Sequence, residues 1–158
     1  MERPAERAAP SAEAVLADLR GAGLKLTPQR IAIVGALVGD ATHPTAQDLF
    51  ERLRPTFPTM SFATVYNTLD ALAKLGRVGS LRLGSAVRFD PNTSPHHHAI
   101  CDGCGAVVDV PADPQNETSN SLETRRNIEK TFGFTVRAEE RSYRGLCRQC
   151  IEQENEHG

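Results

Sequence analysis

The run Pro95-His96-His97-His98-Ala99-Ile100-Cys101-Asp102-Gly103-Cys104 crowds three imidazoles and two thiols into ten residues. Such good metal donors are costly to place side by side unless something binds them. Cys101 and Cys104 have the spacing of a metal knuckle, and Cys147 and Cys150 repeat it, which uses all four cysteines of the chain. Two knuckles complete a tetrahedral four-thiolate zinc site, and Gly103 and Gly105 give the first one backbone freedom. Disulfides are the competing reading. Met1 to Pro10 lacks the apolar core of a signal peptide, so the expected location is the cytoplasm, where thiols stay reduced. The expectation is therefore a structural Zn(II) on Cys101, Cys104, Cys147 and Cys150.

The histidines ask for a different ion. In an extended run His96 and His98 share one side and His97 takes the other, which makes half of a nitrogen-ligand site and leaves His97 as a bystander. Asp90 and Asp109 are carboxylates able to complete the site, and His43 is the only other internal histidine. Three imidazoles with two carboxylates suit Fe(II), Mn(II) or Zn(II) and do not suit copper(I). Alone, a loop histidine such as His43 or a strand-end acid such as Asp90 is usually just solvated. They gain meaning only if two modules fold towards each other.

The elements that must carry these residues divide at the histidine run. Ser11 caps a first helix with Ala14, Val15, Leu19 and Ala22 at helical spacing. Thr27-Pro28 opens a second, with Ile31, Val34, Leu37 and Val38 on one face. Thr45 caps a third, turning Leu49, Phe50 and Leu53 inward before Pro55. Ser61 caps a fourth to Leu75, with Phe62, Val65, Leu69, Leu72 and Leu75 as its apolar stripe. Val78 to Leu83 and Ala86 to Phe89 then form a hairpin through Gly84-Ser85. Helices followed by a hairpin are the order of a winged helix-turn-helix, whose last helix enters the major groove. There Ser61, Thr64, Tyr66 and Asn67 face the bases, while Lys25, Arg30, Arg82 and Arg88 hold phosphates or the minor groove.

Beyond the hairpin, Ala106 to Val110 reads as a strand, Asp113 to Asn120 as a polar loop and Leu122 to Phe132 as a helix. Thr135 to Arg141 and Arg144 to Leu146 read as further strands. The expected class is α+β: a disordered tail (1–10), a winged-helix DNA-binding domain (11–89), a hinge (90–95) and a small α/β dimerisation domain (96–158) stapled by zinc. With 158 residues the chain holds two small domains, and no apolar run approaches the roughly 18 residues of a membrane span. The net charge of -2 hides an asymmetry. Residues 1–89 carry eleven Lys+Arg against eight Asp+Glu, and residues 90–158 carry seven against twelve, so the first half is the one suited to a polyanion.

Leu24-Lys25-Leu26-Thr27-Pro28-Gln29-Arg30, His43-Pro44-Thr45-Ala46, Ser61-Phe62-Ala63-Thr64-Val65-Tyr66-Asn67, Arg88-Phe89-Asp90 and the His/Cys run with its second Cys pair resemble, in order, the motifs of the ferric uptake regulator family. The likeness spans about Ser11 to Cys150. It implies a metal-dependent, dimeric repressor of double-stranded operator DNA, not an enzyme. Carried over by position, Cys101, Cys104, Cys147 and Cys150 match structural zinc ligands, and His43, Asp90, His96, His98 and Asp109 match the regulatory Fe(II) or Mn(II) ligands. Tyr66 matches the recognition-helix tyrosine and Lys25 a basic residue near the minor groove. Asp109 and Asn67 resemble the peroxide-stress branch, whereas His97 fits neither that branch nor the iron-uptake one. That branch implies sensing through metal-catalysed oxidation of a ligand histidine, His43 or His98. Iron-responsive or other metal-responsive repression is the alternative within the family. Outside it stand a non-haem iron enzyme, for which no substrate or cofactor motif is present, and a thiol switch in which the Cys pairs release zinc.

Overall fold

The computed structural model describes residues 10–112, 119–137 and 139–157. The expected disordered tail, save Pro10, and most of the expected polar loop at 113–120 lie outside the described residues. The chain forms two compact units, Met1–Ser94 and Pro95–Gly158.

In the first unit, α1 (Ala12–Gly21), α2 (Pro28–Leu37), α3 (Ala46–Leu53) and α4 (Phe62–Lys74) precede β1 (Gly79–Leu83) and β2 (Ala86–Asp90). Each helix starts the same way. The side chains of Ser11, Thr27, Thr45 and Ser61 accept from the backbone N–H three residues on, at Ala14, Arg30, Asp48 and Thr64. A cap of this kind contributes about 1 kcal/mol. Pro28 sits in the first turn of α2, where its missing N–H costs nothing. Gly76, with φ 66°, ends α4, and the hairpin turn uses Gly84 with φ 59°. The two strands pair antiparallel from Gly79 opposite Asp90 to Leu83 opposite Ala86.

The helices converge on one core. Leu19, Ile33, Val34, Leu49, Val65 and Leu69 are wholly excluded from solvent, with Phe89 closing it from β2. Each such side chain contributes about 2 kcal/mol by burial. Three residues expected to face inward are exposed. Ile31 is exposed and Ile33 takes its place, because the face of α2 that meets the core runs through Ile33, Val34 and Leu37. Phe62 and Leu75, at the two ends of the α4 stripe, are also exposed, since the core covers only the stripe's middle.

The second unit holds a three-stranded sheet in the order β4-β3-β5. Its strands are β3 (His96–Cys101), β4 (Val107–Pro111) and β5 (Ser142–Gly145), with α5 (Ser119–Phe132) and α6 (Arg148–His157). β4 runs antiparallel to β3, and β5 runs parallel to it. Helix α5 begins three residues before Leu122. Thr135 to Arg141, expected as a strand, is irregular wherever it is described (135–137 and 139–141); pairing to β3 begins only at Ser142 opposite His98. Among the described residues of this unit the buried apolar side chains are Ile100, Cys101 and Val107. Three side chains are far too few to offset the chain entropy of ordering it.

Candidate metal centres and nucleic-acid face

The cysteine knuckles are built on the end of β3 and the start of α6. Cys101 Sγ lies 3.7 Å from Cys150 Sγ, and Cys104 Sγ lies 3.8 Å from Cys147 Sγ. Four sulfurs about 2.3 Å from one central ion stand about 3.8 Å apart, whereas a disulfide needs about 2.05 Å. The spacing thus fits a tetrahedral thiophilic ion and no disulfide. Backbone N–H groups of Cys104 (3.5 Å) and Cys147 (3.2 Å) point at Cys101 Sγ and hold its thiol down to about 6. Cys150 is pushed up to about 12, first by hydrogen bonding to the Cys147 and Cys101 sulfurs and then by burial. One thiolate sharing protons with its neighbours is what four crowded sulfurs do until an ion replaces those protons. Gly103 is required here, because a Cβ at that position would stand 2.9 Å from Cys150 Sγ. Asp102 ties the first knuckle to β5 by accepting from Arg144 Nε at 2.9 Å and by donating its backbone N–H to Gly145 O at 2.7 Å.

The imidazoles of β3 meet Asp109 through strand register. His98 pairs directly opposite Asp109 on β4, and His96 sits two residues away on the same face. His96 Nε2 is 2.9 Å from His98 Nε2, and Asp109 Oδ1 is 3.7 Å from the first and 4.0 Å from the second. Ligands at right angles, each about 2.1 Å from one ion, are about 3 Å apart, so this trio fits a first-row divalent cation. His97 turns elsewhere. Its Nδ1 accepts from the Arg141 N–H at 3.3 Å, and its ring meets Tyr143 edge-on at 6.4 Å.

His43 and Asp90 form a pair within the first unit. The loop before α3 is stitched to β2 by a bridge between Thr45 and Arg88 and by Phe89 N–H donating to Pro44 O at 2.9 Å. That stitching leaves His43 Nε2 3.8 Å from Asp90 Oδ1, both side chains buried. His43 Nδ1 faces Ala41 O at 3.1 Å. A carbonyl only accepts, so the proton is on Nδ1 and the lone pair on Nε2. Arg88, expected on phosphates or the minor groove, donates from Nη1 to His43 O at 3.2 Å.

On α4, Tyr66 is 53% exposed and Ala63 and Asn67 are exposed beside it. Thr64 is half-buried, its hydroxyl 2.9 Å from that of Ser61, which also caps the helix. Lys25 is exposed, and its carbonyl accepts from Arg30 Nη1 at 2.6 Å. One residue of the metal region was absent from the sequence reading. Glu140 places Oε1 3.0 Å from His98 Nδ1, a pairing across 42 positions for which no local pattern exists.

The family model described as the ferric uptake regulator family matches residues 21–133. The chain is 40% identical over 139 residues to the peroxide-responsive repressor PerR of Staphylococcus aureus, covering 87% of this chain and 90% of that protein. Its fold is similar to that of the Helicobacter pylori ferric uptake regulator, at a TM-score of 0.71 and 24% identity over 92% of this chain and 97% of the other. It is also similar to a zinc uptake regulator solved in complex with zinc and DNA, at a TM-score of 0.62 and 25% identity over 92% and 99%. With the matched segment running from the end of α1 through the knuckle Cys101-Cys104, the chain belongs to the ferric uptake regulator family.

Proposed function

We propose that this protein is a cytoplasmic, homodimeric, metal-dependent repressor that binds operator DNA and is released from it by hydrogen peroxide. The winged-helix domain (11–89) reads DNA through Ser61, Thr64, Tyr66 and Asn67, with Lys25 and Arg30 on the backbone. The dimerisation domain (96–158) is stapled by Zn(II) on Cys101, Cys104, Cys147 and Cys150, and 90–95 is the hinge. One Fe(II) or Mn(II) ion takes His43 and Asp90 from the first domain and His96, His98 and Asp109 from the second. It thereby favours the interdomain angle that spaces two recognition helices on operator half-sites. The protein acts as a regulator and not as an enzyme.

The observation that carries this reading is the segregation of donors. Four sulfurs close around one position, while His96, His98 and Asp109 of the second unit form a separate set without thiolate, suited to a harder, exchangeable ion. The relative at 40% identity is a peroxide-responsive repressor, which supports that branch over iron uptake. A zinc uptake regulator of similar fold binds DNA, and no helix among the described residues is long and apolar enough to cross a membrane. Exposed Leu122, Phe132, Phe134 and Ile151 in the second unit supply apolar surface for a partner copy.

Fe(II) held by these residues would supply the redox chemistry that activates peroxide: net, one H2O2 would give one oxygen atom to the ring of His43 or His98, which is oxidised by two electrons, and its other oxygen would leave as water. The oxidised ring is a poorer lone-pair donor, the two domains lose their shared ligand set, and repression ends. Operator binding measured with Mn(II), Fe(II) and Zn(II), before and after peroxide, tests this. Loss of binding confined to the Fe(II) form, with one added oxygen on a peptide containing His43 or His98, is the expected result. An Fe(II) protein that stays unmodified on DNA after peroxide overturns peroxide sensing in favour of iron sensing.

A further inference from the structure

We propose that Glu140 is a positioning residue for the nitrogen and oxygen metal set, holding His98 in the tautomer and orientation that ligation requires. This rests on the reading of His98 as a regulatory ligand. Glu140 Oε1 approaches His98 Nδ1 at 3.0 Å. A carboxylate only accepts, so the imidazole proton lies on Nδ1 and the lone pair on Nε2. Nε2 is the atom that faces His96 and Asp109. The two edges of the ring therefore serve different partners, one the carboxylate and the other the ion.

His96 Nε2 and His98 Nε2 are 2.9 Å apart, the spacing of two neighbouring ligands on one ion, so the edge of His98 that Glu140 leaves open is the edge that shares a position with His96.

Glu140 is 55% exposed, so packing does not aim it; its flanking residues do. Arg141 O accepts from His98 N–H at 3.0 Å, and Arg141 N–H donates to His97 Nδ1 at 3.3 Å. On the other side Glu139 accepts from Ser121 Oγ at 2.6 Å, from Arg141 Nε at 2.8 Å and from Arg141 Nη2 at 2.7 Å. Residues 139 and 141 are thus tied to α5 and β3, which fixes the backbone on either side of Glu140 and so the point from which its carboxylate reaches His98. A carboxylate behind a ligating imidazole fixes its ring and raises its basicity, and losing one typically costs roughly 10- to 100-fold in metal affinity.

The test uses the full-length, zinc-loaded protein with Mn(II) as the probe. Nitrogen-resolved imidazole NMR without Mn(II) should show His98 as the single Nδ1–H tautomer in the wild type and as a tautomer mixture in Glu140→Ala. Mn(II) titration followed by electron paramagnetic resonance should show Glu140→Ala weakened roughly 10- to 100-fold. Glu140→Gln, whose amide oxygen still accepts from Nδ1, should fall in between and keep the wild-type tautomer. Retained zinc in each variant marks an intact fold. Unchanged Mn(II) affinity in Glu140→Ala overturns the inference, whatever the tautomer does. If His98→Ala loses Mn(II) while Glu140→Ala does not, the inference alone is overturned; if His98→Ala binds as the wild type does, the metal reading itself is.

Discussion

His43 adopts φ 53°, the single non-glycine residue with positive φ among the described residues. The left-handed region costs an ordinary side chain about 1–2 kcal/mol, and such strain persists where a site demands it. Here it turns Nδ1 to Ala41 O and Nε2 to Asp90. Replacing His43 by Gly or by Ala removes the same imidazole, but only Gly relieves the backbone. His43→Gly should therefore be more stable than His43→Ala by about 1 kcal/mol in urea unfolding, with both variants deficient in Mn(II)-dependent operator binding. Equal stability of the two would mean that the loop relaxes and stores no strain at this residue.

At the scale of elements, α3 is held at its start by a reciprocal cap. Asp48 N–H donates to Thr45 Oγ1 at 3.1 Å, while Asp48 Oδ2 accepts from Thr45 N–H at 2.8 Å. The Thr45 N–H, more than the Thr45 hydroxyl and nearby Arg88 and Arg52, holds the Asp48 carboxyl below its usual value. A depressed carboxyl stabilises the fold above its unfolded pKa and loses that contribution as pH falls through the folded one. Asp48→Ala should cost about 1 kcal/mol at pH 7, at the low end because the group is exposed, and the difference from wild type should shrink as pH drops below the carboxylate range. A difference independent of pH would show that the charge plays no part. On α4, Tyr66 is exposed and outside the core, so Tyr66→Ala should leave the melting temperature in place while weakening operator binding by about 1–3 kcal/mol. A lowered melting temperature with unchanged binding would place Tyr66 in packing instead.

For the whole molecule the two units depend on different forces. The first has a continuous apolar core, and the second buries Ile100, Cys101 and Val107 among its described residues. Removal of zinc by a strong chelator should therefore unfold the second unit first, seen as lost amide-exchange protection at β3 and α6 while α2 and α4 stay protected. Uniform loss across both units would refute separate support. If the ion biases an interdomain angle, linkage also requires operator DNA to tighten Mn(II) binding by the factor by which Mn(II) tightens operator binding. Equal Mn(II) affinity with and without operator would exclude that coupling.

What the amino-acid sequence determined by itself was local or short in range. Ser11, Thr27, Thr45 and Ser61 announce their helices because a cap satisfies backbone groups only three residues away. The Cys pairs announce an ion because two thiols at that spacing reach one point, and His96 and His98 share a face because a strand alternates. The tertiary structure decided what has no local signal. Ile33 rather than Ile31 meets the core, since periodicity sets the stripe but not where its edge falls. Residues 135–137 and 139–141 look strand-like, yet the register with β3 starts only at Ser142. Helix α6 was not foreseen, because Arg148 to His157 is polar almost throughout and carries no apolar period. Glu140 stands behind His98 only because β5 runs parallel beside β3, a pairing across the chain that no spacing along it encodes.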